Sequence, residues 1–431
     1  MHMNKNEKIA LPKLRFLQFV DAPAWNVKNF GKLSAPVTDR AGTNKYILMS
    51  VTSGIGLIPQ IEKFGREIAG NAYSSYYVIK KNDFAYNKSA TKRFPEGYIS
   101  MLTEYEEAAL PNSIFTCFRI VDEGCVPQFF DHLFHNNYHG SWLRKYIEVG
   151  ARAHGSLSVD TKHLWNMPIA LPRKGEQKKI ADCLSSLDDL IAAENKKLDA
   201  LRTHKKGLMQ KLFPAESETV PEWRFPEFRN SGEWEERKFG ELCNFIRGPF
   251  GGALKKEIFV RDGYAVYEQS HAIYGDFHSF RYYITEEKYD ELKRFSVNAN
   301  DIIMSCSGTM GKFEIVPEGS KEGVINQALL KLTVKKGSDV KFVKKTLELD
   351  INQEKLLSQS AGGAIKNVVA VSQMKEIPFL MPYISEQQKI ANCLSGVDDL
   401  IAEQAKKIET LKIHKKGLMQ GLFPSIEEVV E

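Results

Sequence analysis

Apolar residues recur with a seven-residue period in two stretches of the chain. In the first, Leu184, Ile191, Leu198, Lys205 and Leu212 fall at one seam position, and Ile180, Leu187, Glu194, Leu201 and Leu208 at the other. In the second, Leu394, Ile401, Ile408, Lys415 and Leu422 alternate in the same way with Ile390, Val397, Gln404, Leu411 and Leu418. This is the pattern of a coiled-coil seam, with polar interruptions at matching layers. It predicts two long helices, over about 176–213 and 386–423. Glu176 and Glu386 sit in the first turns, where carboxylates suit the helix N-terminus, and Pro214 and Pro424 stop the helices. A single exposed apolar seam is unfavourable, so the two helices are expected to pack on each other. The pseudo-twofold repeat favours an antiparallel pair.

Between and before the helices the pattern changes. Tyr46–Val51, Ser75–Lys80, Ile114–Val121, Tyr264–Tyr267, Asp301–Ser305 and Leu329–Val334 are rich in β-branched and aromatic residues and read as strands. Helical stretches follow at Pro127–Val149 and Val340–Gln359. The fold class is therefore α+β: two mixed α/β blocks in tandem, separated by two long helices packed as an antiparallel coiled coil. Residues 215–233, with Pro221, Pro226 and Gly232, form the connector.

The repeat is explicit in the residues. Residues 175–214 and 385–424 are identical at 26 of 40 positions. Upstream, Val159, Leu164, Pro168 and Pro172 answer Val369, Met374, Pro378 and Pro382. Pro12, Arg15, Phe16, Trp25, Phe30, Gly31 and Leu33 answer Pro221, Arg224, Phe225, Trp234, Phe239, Gly240 and Leu242. Each unit is thus a variable block followed by a nearly constant one. The constant blocks do one job twice; the variable blocks keep a frame and change its content.

Composition narrows the function. The chain has 431 residues, 43% hydrophobic and 26% charged, values of a folded globular protein. It contains no apolar run long enough to span a bilayer and no apolar leader in its first residues. Six scattered cysteines with no CxxC pair argue against a zinc ribbon or a disulfide framework, so a cytoplasmic location is the default. The net charge is only +5; residues 1–150 carry 18 basic and 14 acidic side chains, and residues 221–368 carry 22 of each. Any nucleic-acid surface must then be local.

No GxxxxGK[ST], GxGxxG or HExxH motif is present. His132, His135 and His139 could form a metal face, but no cysteine or acidic cluster completes it, and a solvated helix face is the simpler reading. The chain reads as non-catalytic, and its remaining features suit binding. The segment from Asp301 to Lys312 runs from a strand into a small-residue turn, where Ser307, Thr309 and Lys312 could approach phosphates; a plain tight turn is the alternative. Asn326 and Gln327 carry amides able to pair with adenine, or to end a strand. Lys366 and Asn367 follow a glycine turn, and Arg247 ends the preceding apolar stretch. In the first block Tyr76, Asn87, Lys88, Lys92 and Arg93 interleave aromatic, basic and amide groups, with Arg152 and His154 at the place of the second block's glycine turn.

These residues resemble those of the DNA-specificity subunit of Type I restriction–modification enzymes. The carriers are the duplicated IADCLSSLDDLIAAENKKLDALRTHKKGLMQKLFP and IANCLSGVDDLIAEQAKKIETLKIHKKGLMQGLFP, PEWRFPEF with EWEERKFGELC, and SCSGTMGK. The first block has DFAYNKSATKRF where the second has its SGTMGK segment. The resemblance implies a first target recognition domain over 12–158, a conserved helical region over 159–214, a second recognition domain with its connector over 215–368, and a second helical region over 369–424. It implies that each recognition domain reads half of a split site in double-stranded DNA. It also implies two modification subunits that bind S-adenosylmethionine, restriction and translocation subunits, no cofactor in this chain, and no membrane. A helix of about 37 residues is roughly 55 Å long, on the order of 15 base pairs, so the helices would act as a ruler. A scaffold that binds other proteins through its repeated helices is the competing reading.

Overall fold

The computed structural model describes residues 9–69, 72–147, 160–250, 252–358 and 371–430. The chain forms two compact units, each discontinuous or borrowed in sequence: one holds residues up to Asn195 together with Lys406 onward, the other Lys196–Ala405. Each unit therefore contains the start of its own long helix and the end of the other.

In the first unit a four-stranded antiparallel sheet has the order Ser34–Pro36, Phe115–Ile120, Phe84–Asn87, Tyr98–Met101. In the second unit Cys243–Arg247, Leu329–Val334, Ile302–Ser305 and Phe313–Ile315 take the same order. Each of the strand-like segments named from the sequence contains a strand except Tyr46–Val51, which overlaps Met49–Thr52. The predicted helical stretches are each broken in two, Pro127–His135 with Tyr138–Leu143 and Val340–Glu348 with Asp350–Ser358. The first break is made by Asn137, whose φ of 59° is left-handed. One face of each sheet buries aromatics and leucines against these helices: Phe30, Phe84, Phe118 and Phe134 in the first unit, Leu330, Leu332, Phe342 and Leu347 in the second. Smaller sheets complete each unit. Tyr264–Tyr267 pairs in parallel with Gly323–Ile325, while Met49–Thr52 and Tyr77–Lys80 pair antiparallel with Gly56–Pro59 and Glu107–Leu110.

The reading of the three histidines as a solvated face is corrected for two of them, while His135 is exposed as expected. His132 and His139 are 4% and 1% exposed, and His139 belongs to the helix after the break. No group of three His, Cys, Asp or Glu suited to a metal occurs among the described residues. Burial in an apolar interior holds both imidazoles neutral, with pKa values pushed down to about 4.

The long helices run over Lys174–Leu212 and Ile384–Leu422. Ile180, Leu184, Leu198, Ile390, Leu394 and Ile408 are buried, and Leu187, Ile191, Leu201, Leu208, Val397, Ile401, Leu411 and Leu418 are half-buried; no seam position is exposed. The pairing is antiparallel. In the first unit Asp188 meets Lys415 at 2.5 Å and Glu194 meets Lys407 at 2.6 Å, so the partner number falls as the residue number rises. In the second unit Lys205 meets Asp398 at 2.6 Å. These pairs account for the interruptions at Lys205, Glu194 and Lys415: each seam lysine reaches a carboxylate on the opposite helix and keeps its stem in the seam.

Glu176 and Glu386 do more than face the helix dipole. Arg15 grips Glu176 through two hydrogen bonds of 2.7 Å, and Arg224 grips Glu386 in the same way. Both carboxylates are buried, and the bidentate geometry supplies the donors such burial requires. Next to them Gln177 accepts from the Val126 N–H, and Gln387 from the Asp339 N–H, each at 2.9 Å. These contacts fasten each long helix to the loop or helix that follows its four-stranded sheet. The far ends are fastened reciprocally. Leu212 and Phe213 enter the core of the second unit, while Leu422 and Phe423 enter that of the first.

Candidate nucleic-acid interface

The candidate surface in the second unit is one end of the four-stranded sheet. Register places Arg247 opposite Leu330 and Ser305 opposite Leu329. The segments after Arg247, after Ser305 and before Leu329 therefore leave the sheet side by side. Tyr267, paired with Ile325, brings the start of helix Gln269–Tyr274 to the same end. The sequence candidates Arg247, Ser307, Thr309, Lys312, Asn326 and Gln327 thus converge on one edge.

The turn after Ser305 is held by its own backbone. The Gly311 N–H donates to the Ser305 carbonyl at 3.0 Å, and the Lys312 N–H to the Ser305 hydroxyl at 3.0 Å. Gly308 and Gly311 have φ of 59° and 73°, which glycine adopts without strain. Ser305 is thereby consumed in the turn, and Ser307, Thr309 and Lys312 remain exposed. Lys312 forms no ion pair among the described residues. Asn326 is half-buried, and its Oδ1 accepts the Ala328 N–H at 3.0 Å. Its amide shapes the turn, which leaves Gln327 as the exposed amide. Gly248 is required here: a Cβ would lie 1.8 Å from the Asn326 carbonyl oxygen. Arg247 is half-buried, with Nε and Nη1 sealed from solvent and without a hydrogen-bond partner among the described residues. It lies beside Cys306, whose thiol burial pushes up to about 11 against the opposing pull of Arg247.

Sequence reasoning missed part of this edge. Gln269, Ser270, Ser279 and Arg281 line a groove of about 610 Å³ that Asn326 also borders. Gln269 Nε2 donates to the Thr309 carbonyl at 3.4 Å, joining groove to turn. The available signal was a polar run, Glu268–Gln269–Ser270, directly after a strand ending at Tyr267. Arg281 is exposed and rests on the Tyr282 ring, 4.9 Å from its centroid. Glu268, in the same groove, opposes the positive charge.

The matching edge of the first unit carries different groups. Asn87 ends its strand opposite Phe115, and residues 88–97 occupy the place of the SGTMGK turn. Thr91 and Phe94 exchange backbone hydrogen bonds of 3.1 Å at the loop tip. Lys92 and Arg93 are exposed, and Lys88 is half-buried. Two expectations are corrected. Asn87 is 9% exposed; its Nδ2 donates to the Val51 carbonyl at 3.1 Å and its Oδ1 accepts from the Ser89 N–H at 2.9 Å. Tyr76 is 7% exposed and packs against Tyr73 with ring centroids 5.6 Å apart. Both were read as surface, but the hairpin Met49–Pro59 takes up the Asn87 amide, and Tyr76 packs in a small apolar cluster with Ala41, Leu48, Val78 and Ala109. Arg152, His154, Lys366 and Asn367 lie outside the described residues.

Residues 42–203 and 231–412 match the family model of the Type I restriction modification DNA specificity domain. The chain belongs to that family. Two copies of the domain account for the doubled sheets and doubled helices. Two similar curated proteins come from Methanocaldococcus jannaschii. The putative type I restriction enzyme MjaX specificity subunit is 27% identical over 290 residues, covering 64% of this chain and 63% of that protein. The type I restriction enzyme MjaVIII specificity subunit is 25% identical over 289 residues, covering 64% and 66%. The matched stretch thus spans a little under two thirds of these relatives. The fold is also that of the S subunit of a Type-I restriction-modification system from M. genitalium, with a TM-score of 0.57 at 15% identity, covering 96% of this chain and 99% of that one. A chain from a study of assembly and conformational transition in the type I R-M system gives 0.55 at 16% identity, covering 93% and 98%.

Proposed function

We propose that this chain is the DNA-specificity subunit of a Type I restriction–modification complex and performs no bond chemistry itself. Its recognition domains, over 12–158 and 215–368, each read one half of a bipartite site in double-stranded DNA. The helical regions over 159–214 and 369–424 set the spacer and dock two modification subunits, in which S-adenosylmethionine is held. Restriction and translocation subunits complete the assembly in the cytoplasm. One observation carries this reading: two sheets with the same strand order present different loops at the same edge, as two readers of different half-sites require. Among the described residues no helix is long and apolar enough to cross a membrane, which is compatible with it.

Base-edge contacts supply specificity and cations supply salt-sensitive affinity. In the second domain Gln327 and Gln269 are the amides for bases, with Lys312 and Arg281 for phosphates. In the first, Lys88, Lys92 and Arg93 serve phosphates. The flipped adenine is held by the modification subunit. The test is a methylome. Co-expression with the adjacent adenine methyltransferase subunit is expected to yield a split motif methylated on adenine in each half, lost when this chain is omitted. Association without new methylation would overturn the proposal in favour of a protein-binding scaffold. Adding four residues to both long helices, in one aligned layer, is expected to lengthen the unread spacer or abolish methylation; an unchanged spacer would sink the ruler.

A further inference from the structure

One groove is filled in the first unit and open in the second. In the first unit the segment after Pro424 folds as helix Ile426–Val430 and packs on Tyr138–Leu143 and Pro168–Leu171. Ile426 and Val429, each 2% exposed, enter the core there, and Glu428 reaches Lys13 at 3.3 Å. In the second unit the corresponding elements are Asp350–Ser358 and Pro378–Met381. There the segment after Pro214 places Glu216 and Thr219 where the repeat has Ile426 and Val429, and both are exposed. What remains is a cavity of about 330 Å³ walled by Leu349, Ile351, Phe379 and Trp234. The Trp234 indole is 3% exposed, and its Nε1 has no hydrogen-bond partner among the described residues. Its counterpart Trp25 donates to Glu176 at 3.2 Å. The rim carries the exposed carboxylates Glu216, Glu218 and Glu236, with Lys355 as the lining cation.

We propose that this groove docks a short amphipathic helix of a partner protein, with branched aliphatic residues three apart on its inner face and lysine or arginine on its outer face. The filled groove of the first unit shows the apolar pair that such walls accept, since the two grooves are built from the same elements of the repeat. The acidic rim selects the opposite charge from the acidic tail that fills the first. The inference stands whether or not the chain reads DNA.

The probes are two labelled peptides titrated into the full chain and followed by fluorescence anisotropy. One copies residues 424–431, and the other has lysine at all three of its glutamate positions. The basic peptide is expected to bind at least about tenfold tighter than the acidic one. Ile351→Trp, which fills the cavity, should remove binding. The rim double variant Glu216→Lys with Glu218→Lys, confined to exposed positions, should erase most of the preference without touching the fold. Circular dichroism and melting of each variant separate a binding defect from a folding defect. No binding of the basic peptide, or binding that neither variant changes, overturns the proposal. Tighter binding of the acidic peptide also overturns it, and would assign the groove to a second copy of this chain.

Discussion

The two units build one junction from different chemistry. In the first, Asp188 faces Lys415 at 2.5 Å and His132 Nδ1 at 3.9 Å, while His132 Nε2 meets the Ser185 hydroxyl at 3.0 Å. In the second, Asp398 faces Lys205 at 2.6 Å and is also bonded by Lys345, at the place of His132. Burial alone would raise the Asp398 pKa, but hydrogen bonds from both lysines hold it below the usual carboxylate range. One junction thus contains a buried group that titrates near neutrality in the unfolded chain, and the other contains permanent charges. Repeats of one fold can keep their geometry and still differ in how pH acts on them.

The largest expected difference lies at the helix starts. Arg224→Ala would leave Glu386, with 0% side-chain exposure, as an unpaired buried carboxylate, at a cost of about 3–5 kcal/mol. Arg15→Ala should cost less, because Trp25 still donates to Glu176. Urea unfolding followed by unit-resolved hydrogen exchange measures both. Equal losses would show that the tryptophan bond contributes nothing.

Acid is the next discriminator. His139 is neutral in the fold with a pKa of about 4, whereas its unfolded value is about 6.5. The unfolded chain therefore takes up the proton first as pH falls. Stability that is complete above about pH 6.5 is lost progressively down to about pH 4, by roughly 3 kcal/mol for this residue. His132 acts in the same direction. The second unit has Asn352 and Lys345 at these places and should keep its stability until its carboxylates protonate. Unit-resolved exchange at about pH 5 should show the first unit opening first, and His139→Phe should flatten that pH dependence.

The third difference is in reading. Gln327→Ala should relax base choice in one half-site by about 1–3 kcal/mol of discrimination and leave the other half unchanged. Asn326→Asp keeps the oxygen that accepts the Ala328 N–H and should preserve the turn. A methylome in which both half-sites relax together would break the assignment of separate readers.

The repeat and its seams were legible because periodicity and identity are local properties of a sequence. Heptad positions such as Leu184 and Leu394 are fixed by spacing alone, and every one is covered in the structure. The Arg15–Glu176 pairing was not legible, since 161 residues separate the partners and each was readable only in its own segment. The same limit hid Asn87: chemistry shows an amide beside cations, but only the hairpin Met49–Pro59 reveals that Val51 has taken it. Gln269 was missed for the converse reason. Its role comes from the parallel pairing of Tyr264–Tyr267 with a strand nearly sixty residues later, which brings it beside Asn326.

The smallest predicted effect sharpens the comparison of the two reading edges. Lys92 and Arg93 are exposed on a loop whose tip is closed by its own backbone, so replacing both with alanine should leave the fold intact. Each cation withdrawn from a phosphate should lower the slope of log K against log salt by about 0.9. Measured on the assembled modification complex, Lys92→Ala with Arg93→Ala should reduce that slope by about 2 while leaving the recognised motif unchanged. Lys312→Ala in the second domain should reduce it by about 1. A changed motif with an unchanged slope would reverse the assignment, making residues 88–97 the base reader of the first domain. The two loops would then share a position but not a function, and the differing residues, more than the frame of the repeat, would specify the reading.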